Sequence, residues 1–183
     1  MFKKIITLFF LFSTVTLCNR AEFTKIYSNT LRFEGKSYIK NNVEESKYGI
    51  TKYYTKDVKR LSEEKAFEIA YKKIYIAHNL HKIQDKKIRA FVFDWIYNSS
   101  PKKAIGRIQT LLDVEVTGVM NSETVGALND FSDTELLIFL LKENRLNYLK
   151  TLKHYNIYGK GWKTRIANIV WFFKRRKYLW IKN

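Results

Sequence analysis

Cysteine is almost missing from this chain of 183 residues, with Cys18 alone. An internal disulfide and a thiolate metal site are therefore both excluded. Proline is represented only by Pro101, and 7 glycines complete the supply of chain breakers. That scarcity excludes a many-turned all-β fold and leaves helices as the main element. Histidine is also scarce. His78 and His81 are spaced to share a helical face, but no third ligand stands near and His154 is far off, so they read as surface residues and no metal is implied. Acidic residues number 17 against 34 Lys and Arg, a net charge of +17. No apolar run is long enough to span a bilayer comfortably, since Ile5 to Leu17 stops short of it.

What is present then narrows the class. Hydrophobic residues make up 46% of the chain, enough for one core in one domain or two small ones sharing it. The basic excess implies attraction to a polyanion, for which nucleic acid, anionic lipid and an anionic cell wall all qualify. A genome biased toward lysine codons would produce part of the same excess. The start, Met1-Phe2-Lys3-Lys4 followed by the apolar run, has the form of a Sec signal peptide over residues 1–18. Cleavage after Cys18 is the first reading, lipidation of Cys18 the second, and an uncleaved membrane anchor the third. All three direct the chain to the periplasm or cell envelope, and nucleic acid falls behind, with no recognised binding motif to support it.

Along the chain, Phe23, Tyr27, Thr30 and Glu34 repeat at three- and four-residue steps, so a helix is expected from Ala21 to about Phe33 with Glu34 at its buried end and Gly35 stopping it. A carboxyl half out of water there would keep its proton more readily, and an ordinary solvent-facing glutamate fits the spacing as well. Residues 35 to 60 carry no helical period, and Lys47 to Tyr54 suggests a small hairpin or irregular loop forming a cleft wall. Helices are expected after Ser62, whose Glu63 and Glu64 suit a first turn, and over Lys86 to Tyr97. Ser100-Pro101 starts another, a short one covers Ser122 to Leu128, and Ser132 with Glu135 forms a capping box for a long helix reaching Leu152. The last helix is expected from Trp162 to Tyr178, with a basic, aromatic end suited either to core packing or to an anionic membrane surface. No internal repeat or low-complexity tract is found.

These features, in this order, resemble the family-108 glycoside hydrolases, lysozyme-like enzymes of bacteria and phages with a C-terminal helical peptidoglycan-binding module. The resemblance runs from about Glu22 to Arg165. It is carried by Leu31-Arg32-Phe33-Glu34-Gly35-Lys36, Tyr48-Gly49-Ile50-Thr51, Phe93-Asp94-Trp95-Ile96-Tyr97-Asn98-Ser99, Ala104 to Gln109 with Thr117-Gly118-Val119 and Thr124 to Leu128, and Arg145 to Tyr148 with Gly161-Trp162 and Arg165. Lys36 stands where the family has its second motif glycine. In the loop 41–47, Asn41 or a neighbour replaces an aspartate, a Gly-Gly pair is gone, and Ser46 stands in place of a threonine.

The resemblance implies a mainly α, lysozyme-like fold with a catalytic region over 21–103 and a peptidoglycan-binding module over 104–180 packed on it. It implies a muramidase acting on the β-1,4 bonds of peptidoglycan, with Glu34 as general acid and no cofactor. The second role falls to Glu44 or Glu45, or to Ser46 holding the attacking water. A carboxyl separation of about 6.5–9.5 Å would indicate inversion and about 5–5.5 Å retention. Tyr48, Thr51, Asp94 and Asn98 are candidates for touching substrate, although Asp94 also suits a buried hydrogen-bonding role. Tyr53, Tyr54 and Trp95 could stack on sugar faces, or simply fill the core. Gln109 and Thr124 are expected to support packing. The expected partners are glycan strands, and secondarily anionic wall polymers or a membrane surface, bound by a monomer. A non-catalytic wall-binding protein on the same fold is the alternative.

Overall fold

A computed structural model describes residues 20–40 and 45–175, with side chains to residue 169. The fold is mainly helical with one small antiparallel sheet, the lysozyme-like arrangement expected. The expected signal peptide, residues 1–18, together with Glu44 and Trp180, lies outside the described residues.

The first helix, α1, covers 20–34. Its apolar stripe is buried as the spacing predicts, with Phe23 at 0% exposure, Tyr27 at 3% and Thr30 at 1%. Phe23 is the aromatic centre of this half. Its ring lies 4.8 to 5.2 Å from those of Tyr75, Phe67, Tyr71 and Phe93, each such pair adding about 0.5–1.5 kcal/mol beyond area burial.

Three short strands follow, β1 (Ile39–Lys40), β2 (Glu45–Lys47) and β3 (Ile50–Thr51), in the order β1-β2-β3. Ser46 pairs with Ile39 on one side and Thr51 on the other. The β2–β3 hairpin turns on Tyr48 and Gly49, both at positive φ (56° and 77°). A two-residue turn of that kind matches the right-handed strand twist and normally wants glycine or asparagine at both positions. Tyr48 is held there by its carbonyl, which accepts from the Tyr97 hydroxyl at 2.6 Å.

Helix α2 (Glu63–Ile69) begins at Ser62, whose hydroxyl accepts from the Lys65 amide at 3.2 Å, and runs directly into a π-helical segment, Ala70–Ile76. Asn79 then takes a left-handed conformation at φ 55° before a short 3-10 turn, Leu80–Lys82. His78 and His81 therefore do not share a helical face. His78 is half-buried rather than a surface residue, and burial lowers the pKa of its ring.

Helix α3 (Lys86–Tyr97) is the axis of the molecule, with every residue from Ile88 to Tyr97 buried. Apart from Arg89 and Asp94 this buried stretch is apolar or aromatic, as suits a core helix, and α4 (Pro101–Leu112), α6 (Thr134–Lys150) and α7 (Tyr155–Arg175) pack around it. One apolar cluster runs from Phe23 to Ile169 through both halves of the chain. Between α4 and α5 (Ser122–Asp130), the buried Gln109 amide donates to Thr117, Val119 and Thr124 and accepts from the Gly118 amide, which locks the 117–119 turn onto α4 as expected of a packing residue.

Two boundaries differ from expectation. Asp133, not Ser132, caps α6, its carboxylate accepting from the Leu136 amide at 3.0 Å. Helix α7 begins at Tyr155, well before Trp162, and passes through Gly159 and Gly161. At Gly159 a Cβ would come within 2.9 Å of the Tyr155 ring, so the glycine makes room for an aromatic one turn earlier on the same helix.

Candidate active site

The last residue of α1 is Glu34. Gly35 at φ 69° ends the helix in the left-handed conformation that a side chain resists. The stripe that begins at Phe23 thus delivers Glu34 to the helix tip with its side chain 14% exposed. Its carboxyl opens on a groove of about 940 Å³, bounded on one side by the sheet and on the other by the α3–α4 junction and the 117–119 turn.

Gly49 presses against this carboxyl. A Cβ there would fall 2.8 Å from Glu34 Cγ, 2.9 Å from Cδ and 2.6 Å from a Tyr97 ring carbon. The hairpin glycine is required twice, for its backbone angle and for the space the glutamate occupies. Gly49→Ala is expected to cost about 1–3 kcal/mol and to push Glu34 from its place, the first read as a lower urea midpoint and the second as a shifted side chain in a crystal structure.

Below the groove lies a charge cluster assembled from three helices. Asp94 of α3 is fully buried. It accepts from Arg145 of α6 at 2.8 Å, from Arg165 of α7 at 2.8 Å and at 3.1–3.2 Å, and from the Thr30 hydroxyl at 3.1 Å. Burial alone would raise its pKa, but the two guanidiniums outweigh burial and hold the carboxyl below the usual aspartate range. Arg165 also reaches upward, and its Nη2 lies 2.6 Å from Glu34 Oε1. One guanidinium thereby ties the buried aspartate to the groove glutamate. The Asn98 amide adds a long donor contact to the same Glu34 oxygen, at 3.4 Å.

The groove brings together Glu34, Ser46, Thr51 and Asn98 among the residues singled out from the sequence. Asp94 does not join them. It lies beneath the groove, fully buried with both oxygens engaged, so its candidacy for touching substrate gives way to the buried hydrogen-bonding alternative. Tyr48 supplies the turn and its carbonyl bond, and its ring packs against the core with Lys47 5.4 Å above it. Glu45 points to the side of β2 opposite Ser46, as strand alternation requires, and is paired with Lys52 at 3.2 Å and Lys40 at 3.3 Å. The Lys52 contact leads in lowering its pKa. Glu45 does not line the groove. Trp95 is core, whereas Tyr53 is 82% exposed at the groove's rim.

Several groove residues escaped the sequence reading. Tyr97 lines it beside Glu34, and Lys73, His78 and Lys102 line its remainder with the 117–119 turn. The functional weight of Arg165 was also missed, since nothing local marks a guanidinium 131 residues from Glu34 as its partner.

No protein-family model matches the chain, and no curated protein does either. Among solved structures it is similar to SagA of Brucella abortus, 22% identical, with a TM-score of 0.71 over 81% of this chain and 91% of that one. The likeness extends the fold assignment across most of the chain.

Proposed function

We propose that this chain is an exported peptidoglycan hydrolase, a muramidase that cleaves the β-1,4 bond after N-acetylmuramic acid with Glu34 as general acid. The observation that carries this reading is the Glu34 carboxyl, largely shielded at a helix tip yet open to a groove with the hydroxyls of Ser46 and Thr51 along the sheet wall. Glycoside hydrolysis needs a proton delivered to the leaving oxygen as the bond breaks. A carboxyl fixed in direction by Arg165 and Asn98 and held in place by Gly49 is positioned for that delivery. The Ser46 hydroxyl is assigned to the attacking water, and Glu44, outside the described residues, is the remaining carboxyl for that step. The exposed Tyr53 ring offers a face for a sugar to stack on.

A second reading has its own observation. Glu34 is ion-paired with Arg165, and no other carboxylate lines the groove among the described residues. A wall-binding protein without catalysis would have the same features. One experiment separates the two: purified murein is incubated with the wild-type protein and with Glu34→Gln, and soluble products are identified by mass spectrometry. New reducing ends at N-acetylmuramic acid from the wild type alone support the hydrolase. Retention on murein with no release of muropeptides by either protein supports the binder, and equal release by both removes Glu34 from the acid's role.

A further inference from the structure

The groove wall also carries cations. Lys73 and Lys102 line it, and Glu34 is the single acidic residue among all the lining residues described. Arg165 already balances Glu34, so the two lysines contribute positive charge with no acid beside them in the groove wall.

Both lysines are exposed, the Lys73 ammonium held by a hydrogen bond and the Lys102 stem by the turn it lies on. Lys73, on the π-helical segment, donates to the Tyr54 carbonyl at 2.8 Å, which anchors it against the loop that follows the sheet. Lys102, at the start of α4, lies along Gly118. A Cβ on Gly118 would fall 2.6 Å from Lys102 Cγ, so the bare backbone of that turn, at φ 70°, is what admits the lysine stem. The 117–119 turn is itself pinned by Gln109. Cations held on separate elements of one groove discriminate among ligands by charge as well as by shape.

We infer that this cationic stretch receives the carboxylates of the peptide stems carried by the glycan, making stem-bearing strands the preferred substrate over neutral sugar chains. The inference rests on the proposed glycan-cleaving function and names what the groove selects. The lactyl ether of N-acetylmuramic acid projects the stem from the sugar face, so a strand lying along the groove with its scissile bond at Glu34 would carry its acidic peptides past residues beyond the acid. Free carboxylates meeting lysine ammonium groups there exchange hydration for charge-assisted hydrogen bonds, which are stronger than neutral ones.

The test uses the full chain carrying Glu34→Gln, so that bound ligand stays uncut. Its binding to muropeptide oligomers is measured against the same oligomers whose stem carboxylates have been converted to amides, a change that removes charge and keeps the chain. A preference of about tenfold or more for the natural oligomers is expected at low salt, shrinking as salt rises. Adding Lys73→Gln and Lys102→Gln is expected to abolish that preference. Adding Lys86→Gln and Lys160→Gln, which remove the same charge from exposed positions outside the groove, is expected to leave it intact. Equal binding of natural and amidated oligomers overturns the inference, as does an equal loss of preference in both double variants, which would mean that net charge alone is at work. Should neither oligomer bind while the wild type still releases muropeptides, the stem preference falls and the hydrolase stands. No binding together with no release removes both.

Discussion

Asp94→Ala is expected to cost about 3–5 kcal/mol, the typical penalty for breaking a buried ion pair from one side. That is a large part of the stability of an ordinary domain, about 5–15 kcal/mol. Arg145 is 2% exposed and Arg165 8%, so the loss leaves the Arg145 guanidinium buried without its counter-charge and Arg165 with Glu34 as its remaining acid. Asp94→Asn keeps an acceptor oxygen and is expected to fall between the wild type and Asp94→Ala. The same carboxyl sets a pH response. Its folded-state pKa lies below that of the unfolded chain, so the unfolded chain takes up protons first as pH falls. The stability it contributes is complete above the ordinary aspartate range and is lost on acidification through the folded-state value. Urea midpoints measured from pH 7 downward should fall below about pH 4, and fall less steeply in Asp94→Asn. Parallel curves for the two proteins would show that the cluster does not carry this charge linkage.

Glu34→Gln is expected to lower the initial rate of reducing-end release from murein by about 100- to 10,000-fold, the usual contribution of a positioned general acid. Glutamine has the shape of the glutamate and keeps an oxygen to accept from Arg165 and Asn98, but it has no proton to give. Its effect on folding should be small beside that of Asp94→Ala, because Glu34 sits at the edge of the cluster with 14% of its side chain exposed. Rate and urea midpoint are therefore measured on the same preparation. A large loss of rate with an unchanged midpoint assigns the effect to chemistry, whereas a small loss of rate sinks the assignment of Glu34 as the acid.

The bounds of α3 were legible because Ile88, Phe91, Val92 and Trp95 recur at helical spacing, whereas its Asp85 cap and the burial of every residue from Ile88 to Tyr97 emerged only in the fold. The stripe ending at Glu34 was legible for a similar reason, since helical spacing carries a face across a few turns without any tertiary information. The caps were legible as a class and ambiguous in detail. Ser132 and Asp133 can both accept from a first-turn amide, and only the fold decides between them. The start of α7 was misplaced, expected near Trp162 and found at Tyr155, with Gly159 and Gly161 inside the helix and the first of them beside Tyr155. The groove was least legible. Its walls come from the sheet, the π-helical segment, α4 and the 117–119 turn, and no local pattern relates Lys73 to Lys102 or Glu34 to Arg165. Those pairings exist only once the chain has closed around α3.

The span between Glu34 and Arg165 also constrains when the site can exist. The carboxyl leaves the ribosome well before its guanidinium partner, with Asp94 and Arg145 emerging between them. A nascent or prematurely terminated chain lacking α7 holds every groove hydroxyl and the acid itself, yet lacks the guanidinium that pairs with that acid and has one positive charge too few to neutralise its core. Completion of the site therefore waits on the docking of α7.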